Sequence, residues 1–153
     1  MRPLALLLLA IALPLPAQTR FGLGVAAGVQ SFRHMGGTNP LLVPSVELIG
    51  RGMQLGASVA LERADPEAHM TVLHGDMLYG VTPSFWIGGG PSRVTVEGFK
   101  SATTWNVEAE LVHRFTRTEI YLRGRYWPLH LEAFRDEVEA KGGAAYAGVR
   151  FWF

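Results

Sequence analysis

His74 and Asp76, two residues apart on what alternation makes one face of a strand, are the nearest approach in this sequence to a metal-ligand pair. Two ligands do not make a specific site, and a hydrogen bond inside a folded interior accounts for them better. Ser31 with His34 supplies a hydroxyl and an imidazole for acyl chemistry, but no spacing ties them to an acid. Gly22, Gly24 and Gly28 are not a phosphate-binding loop, because they lie along a strand pattern with no helix after them; they give room inside a narrow fold. The absence of cysteine removes thiolate nucleophiles, thiolate metal sites and disulfides together. The expectation is therefore no catalytic residue, no cofactor and no metal. What remains is a set of charges late in the chain: Glu108, Glu110, Arg114, Glu119, Arg123, Arg125 and Arg150.

Composition limits the partners of those charges. The 153 residues are 48% hydrophobic and 18% charged, enough apolar material for one domain. Net charge is +1, and without Arg2 the basic and acidic residues are equal in number, which gives nucleic acid no footing. Met1 to Ala17 reads as a secretory signal: a basic start at Arg2, an apolar run from Leu4 to Leu13, and a small residue, Ala17, after Pro14-Leu15-Pro16. That run is about 10 residues, half of what a spanning helix needs. The expected division is residues 1–17 as signal peptide and 18–153 as one mature domain.

The elements that must position the charges follow from a period of two. Phe21, Leu23, Val25, Ala27 and Val29 alternate with polar or small residues. So do Met53, Leu55, Ala57, Val59 and Leu61, and again Ala145, Ala147, Val149, Phe151 and Phe153. Such alternation makes strands with one apolar face. The pattern predicts eight: 20–33, 41–49, 53–63, 69–79, 83–96, 102–115, 118–128 and 143–153. Tight turns are expected at Gly50-Arg51-Gly52, Val81-Thr82-Pro83 and Thr116-Arg117, alternating with longer links at His34–Pro40, Ala64–Glu67, Glu97–Ser101 and Leu129–Gly142. The last link has room for one helical turn. Gly88-Gly89-Gly90-Pro91 suggests a bulge or an early exit in the fifth strand.

A two-residue turn at Thr116 and Arg117 fixes a register. Phe115 meets Thr118, Arg114 meets Glu119, Glu110 meets Arg123 and Glu108 meets Arg125, while Leu111 meets Leu122 and Val107 meets Tyr126. One face of this hairpin is ionic with opposite charges facing, which favours the pairing, and the other is apolar. A soluble barrel turns the apolar face inward, whereas a membrane barrel turns it to lipid. The polar face, with Glu47, Glu62, His74, Asp76, Glu108, Glu110, Arg123, Arg125 and Arg150, is balanced as an interior network would be; Lys100 and Lys141, the only lysines, fall in expected loops. Aromatics gather near strand ends on the apolar face, with Phe21, Tyr79, Phe85, Phe115, Phe151 and Phe153 at the turn side and Trp105 and Tyr126 at the loop side. Such girdles mark the two interfaces of a bilayer. The fold class expected is all-β: an eight-stranded antiparallel up-and-down transmembrane barrel.

The last eight residues, from Tyr146 to Phe153, resemble the C-terminal signal by which bacterial outer-membrane barrels are recognised for assembly. Gly148, Phe151 and Phe153 occupy the glycine and aromatic positions of that signal, and Tyr146 stands first. Over the mature chain the protein resembles the small outer-membrane barrels of the OmpX class and the OmpA transmembrane domain. The resemblance implies a Gram-negative outer-membrane location and, as partners, membrane lipid and the barrel assembly machinery, for a monomer. It does not carry function, because the fold serves many. A second small-barrel class deacylates lipid A with a serine two residues after its histidine. His74, His113 and His130 are followed at that position by Asp76, Phe115 and Glu132. The expected function is therefore structural or surface-interacting, through the loops, with a plugged polar lumen. A lipid A-modifying enzyme and a narrow channel are the alternatives, and a secreted lipocalin-like barrel is a third.

Overall fold

A sheet whose strands are apolar on one face only must cover its edges or close on itself. The computed structural model describes residues 19–33, 41–65, 69–97, 101–132 and 137–153, and there the sheet closes. Its strands are β1 (Arg20–Arg33), β2 (Leu41–Arg51), β3 (Leu55–Asp65), β4 (Met70–Thr82), β5 (Phe85–Thr95), β6 (Ala102–Arg114), β7 (Thr118–Glu132) and β8 (Glu137–Trp152). Each is antiparallel to its neighbours in sequence, and β1 pairs with β8 from Gly22↔Trp152 to Arg33↔Lys141, so the barrel has no free edge. The shortest strands have 11 residues, and about 9–11 tilted residues cross a bilayer's hydrocarbon layer.

Four local expectations are corrected. The first turn lies two residues later than Gly50-Arg51-Gly52: β2 runs to Arg51, and Gly52 N donates to Leu55 O at 2.8 Å. The second is likewise later, since β4 includes Val81 and Thr82, with a register shift between Gly80 and Thr82. The fifth strand neither bulges nor exits at its glycines, whose register with β6 is unbroken from Phe85↔Leu111 to Val94↔Ala102. A Cβ on Gly90 would run into the carbonyl oxygen of Gly75 across the ladder, so close approach of β4 explains the absent side chain better than a bulge. Finally, the described part of the link from Leu129 to Gly142 is strand: Leu129↔Ala140 and Glu132↔Glu137 continue the β7–β8 ladder, while residues 133–136, where room for a helical turn would remain, lie outside the described residues. Residues 34–40, expected as a link, and residues 1–18, which hold the expected signal segment, lie outside the described residues.

Burial alternates along the strands as the period-two pattern requires. On β6, Thr104, Asn106, Glu108, Glu110 and Val112 are buried, while Trp105, Val107, Ala109 and Leu111 are exposed. The exposed face is apolar around the barrel, with Leu23, Val25, Leu48, Leu61, Met77, Ile87, Leu122 and Phe151 among its members. The barrel is thus apolar outside and polar within, as membrane barrels are. Phe21, Tyr79, Phe115, Phe151 and Phe153 stand exposed at the turn end and Trp105 and Tyr126 at the loop end.

The lumen is filled by side chains. Toward the loop end Val43, Met70, Val72, Val94, Trp127 and Tyr146 form one apolar cluster, and toward the turn end Ile49, Leu78, Trp86, Val112 and Tyr121 form another. Two of its aromatics lie over glycines directly opposite in the ladder: Tyr146 over Gly28, and Tyr121 over Gly148. A Cβ at either glycine would collide with the facing ring. In a barrel this narrow, removing one side chain makes the space that its partner's ring occupies.

Candidate functional site

The charged residues singled out from sequence come together inside the barrel, with Arg114 and Glu119 on the turn side of the Val112–Tyr121 rung and Glu108, Glu110, Arg123 and Arg125 on its loop side. The β6–β7 turn places them: Phe115 N donates to Thr118 O at 2.7 Å, and from there the ladder sets Arg114 opposite Glu119, Glu110 opposite Arg123 and Glu108 opposite Arg125. Arg123 donates to Glu110 Oε2 from Nε at 3.0 Å and from Nη2 at 2.7 Å. Arg125 donates to Glu108 Oε2 from Nε at 3.0 Å and from Nη2 at 2.6 Å. Arg114, at the turn mouth with its side chain 45% exposed, donates to Glu119 Oε2 at 2.8 Å.

Each buried guanidinium also reaches across the barrel. Arg123 Nη2 donates to Glu47 Oε2 at 2.7 Å, and Arg125 donates to Asp76 Oδ2 at 2.9 Å and also to Glu62. Arg150, from β8, donates to Glu110 Oε1 at 2.8 Å and Glu119 Oε1 at 2.6 Å and also binds Glu47. Its Cζ lies 3.7 Å from the centroid of the Tyr121 ring, a cation–π contact. Tyr146 donates its hydroxyl to Glu62 Oε2 at 2.8 Å. Charges in such a site are tolerable only when paired and hydrogen-bonded.

Of the residues expected from their resemblance to an assembly signal, Tyr146 points into this network and Gly148 makes room for Tyr121, while Phe151 and Phe153 are exposed. Arg51, which the turn expected at Gly50-Arg51-Gly52 hides from the sequence, belongs to the network as well. Arg51 is buried, donates to Glu119 Oε1 at 3.0 Å, also binds Glu110, and stacks 4.3 Å from the Trp86 ring centroid. Its signal was parity, since Arg51 shares the inward alternation of Ser45, Glu47 and Ile49.

His74 and Asp76 both face the lumen, with different partners. Asp76 accepts from Asn106 Nδ2 at 2.8 Å as well as from Arg125. His74 Nδ1 is 2.7 Å from Ser92 Oγ, and its Nε2 lies 3.1 Å from Glu62 Oε2 without hydrogen-bond alignment. A serine, a histidine and an acid thus follow one another, but the ring nitrogens have exchanged roles relative to a hydrolase triad. All three residues are at most 1% exposed, so a substrate carbonyl has no approach to Ser92. Among the described residues no group of three or more histidine or acidic side chains is arranged to hold a metal ion. Ser31 and His34 lie where side chains are not described.

No protein-family model matches the chain, and no curated protein matches it in sequence. Among solved structures it is similar to the Neisserial surface protein A, NspA, with a TM-score of 0.68 and 15% identity over 87% of this chain and 97% of that one. It is also similar to the N-terminal β-barrel domain of Pseudomonas aeruginosa OprF, with a TM-score of 0.61 and 13% identity over 89% of this chain and 100% of the other. Identities this low carry the fold and not the activity. With eight antiparallel strands, β1 closed on β8 and an apolar outer wall, the fold is that of a small outer-membrane β-barrel.

Proposed function

We propose that this chain is an integral protein of the Gram-negative outer membrane, a monomer whose lumen is a structural plug and whose role is structural or surface-interacting, exerted through its loops. The observation that carries this reading is the state of the lumen. Arg123, Arg125 and Arg150 are each bound to two or more carboxylates, and at the loop end Val43, Val72, Val94 and Trp127 are all 0% exposed. An ion path needs groups free to exchange ligands and water along its length; a paired network closed by an apolar layer at the loop end offers neither. The sealed Ser92, His74 and Glu62 argue against lipid-modifying chemistry in the lumen. Membrane lipid and the barrel assembly machinery are the partners this reading requires.

Membrane fractionation with gel mobility of unboiled and boiled protein tests location and fold, because a folded barrel of this type migrates differently before boiling. Planar-bilayer recording of the same preparation tests the plug. The reading expects an outer-membrane, heat-modifiable protein without steady conductance. A soluble protein with unchanged mobility overturns the first part, and a stable unitary current overturns the second in favour of a narrow channel.

A further inference from the structure

The lumenal charges are not evenly mixed along the barrel axis. In the loop-side half, Glu62, Asp76 and Glu108 converge on one guanidinium, Arg125. In the turn-side half, Glu47, Glu110 and Glu119 face Arg51, Arg123 and Arg150, and Arg114 adds a further cation at the mouth by sharing Glu119. Arg20, exposed at the start of β1, adds another. Guanidinium therefore exceeds carboxylate at the turn end.

A cavity of about 460 Å³ opens there, and Arg20, Arg51 and Arg114 line it together with Trp152, Phe115 and Met53; no carboxylate does. Arg51 is 3% exposed, yet its Nε finds no hydrogen-bond partner among the described residues, and neither does the buried Nε1 of Trp152. Buried donors without acceptors are costly, and so are like charges gathered round one space. An oxyanion in the cavity would offset the second of these, because it meets three arginines and no carboxylate there.

We propose that this turn-end vestibule is a binding site for a phosphate group. Guanidinium forks match phosphate oxygens, and three arginines on different strands converge from more directions than the two coplanar oxygens of a carboxylate can meet. A tetrahedral phosphate presents acceptors to all of them. The cavity is larger than a bare phosphate, and Phe115 and Met53 at its rim are exposed beside the lipid-facing wall. The group can thus come from a phospholipid headgroup of the adjacent leaflet or from a soluble phosphate. The site needs only the fold, while its lipid source rests on the membrane reading above.

The test uses barrel refolded in nonionic detergent and accepted only if it shows the unboiled mobility shift, so a failure of the membrane-barrel reading appears before any binding is measured. Inorganic phosphate is titrated while the arginine Nε–H signals are followed by NMR, with chloride at equal ionic strength as control. The expected result is saturable movement of the Arg20, Arg51 and Arg114 signals with phosphate alone, and affinity weakened about tenfold or more in the R20Q/R114Q double variant, since a charge-assisted bond is worth about one decade. Should R114Q prevent folding, R20Q at the exposed strand start is expected to weaken binding in the same direction. Micelles doped with phosphatidylglycerol separate the sources: a lipid ligand displaces inorganic phosphate or binds where phosphate does not, and a soluble one is unaffected by the lipid. No saturable response to either probe, an equal response to chloride, or affinity unchanged in the variants would overturn the proposal.

Discussion

Glu110 of β6 and Arg123 of β7 sit directly opposite in the ladder, and both Nε and Nη2 of the arginine donate to the same carboxylate oxygen, Glu110 Oε2, at 3.0 and 2.7 Å. Glu110 also accepts from Arg51 and Arg150, which makes it a hub for three guanidiniums. Glu108, one rung further, lies 3.6 Å from Arg123 Nε.

Glu110→Gln should therefore destabilise the barrel by about 3–5 kcal/mol, the usual cost of stranding a buried partner, with a wetter lumen at the low end. Combined with Arg123→Gln it should cost less than the sum of the single changes. A double-mutant cycle in reversible denaturant unfolding measures that coupling. The mismatched cycle of Glu108→Gln with Arg123→Gln should show a smaller coupling. Equal couplings would contradict the register.

The two faces should respond oppositely to polarity. Leu122 is 61% exposed on the outer wall, and Leu122→Arg should oppose folding into bilayers by about 2–4 kcal/mol if it lies near the midplane. Ser58 is buried in the lumen opposite Asp76, and Ser58→Asn should be the milder change. Urea titration of the barrel in lipid vesicles compares them, and a reversed order would exchange inside and outside.

Gly28 and Gly124 separate steric need from mere smallness. A Cβ on Gly28 meets the Tyr146 ring and the Ala145 carbonyl, whereas one on Gly124 meets nothing within 4 Å. Gly28→Ala should cost about 1–3 kcal/mol through overpacking, and Gly124→Ala should be neutral or mildly stabilising, by up to about 1 kcal/mol, through a less flexible unfolded chain. Thermal unfolding of both variants is the measurement, and equal effects would remove the ring-over-glycine account of the lumen.

Phe153 is 79% exposed, and its backbone N donates to Phe21 O at 3.0 Å. Its deletion should leave the unfolding midpoint of the refolded barrel nearly unchanged while reducing the amount inserted in the outer membrane of cells. Normal insertion would show that this phenylalanine is not read during assembly, and a large loss of stability in vitro would give it a packing role instead.

Local features are legible in the amino-acid order alone. Period-two alternation assigns each side chain a face, because successive Cβ atoms of a strand point opposite ways, and it separated Leu111 and Leu122 from Glu110 and Arg123 without any structure. The Thr116-Arg117 turn then paired Glu110 with Arg123 and Glu108 with Arg125, because a two-residue connection leaves one register open. Contacts across the barrel follow only from its closure. Arg150 meets Glu47 and Arg125 meets Asp76 over separations of 103 and 49 residues, and Arg51 enters the network because β2 extends beyond the turn expected at Gly50. Those contacts, like the rings of Tyr121 and Tyr146 over their glycines, depend on closure and stagger. These set how far apart opposite walls stand, a property of all eight strands together that no single hairpin encodes.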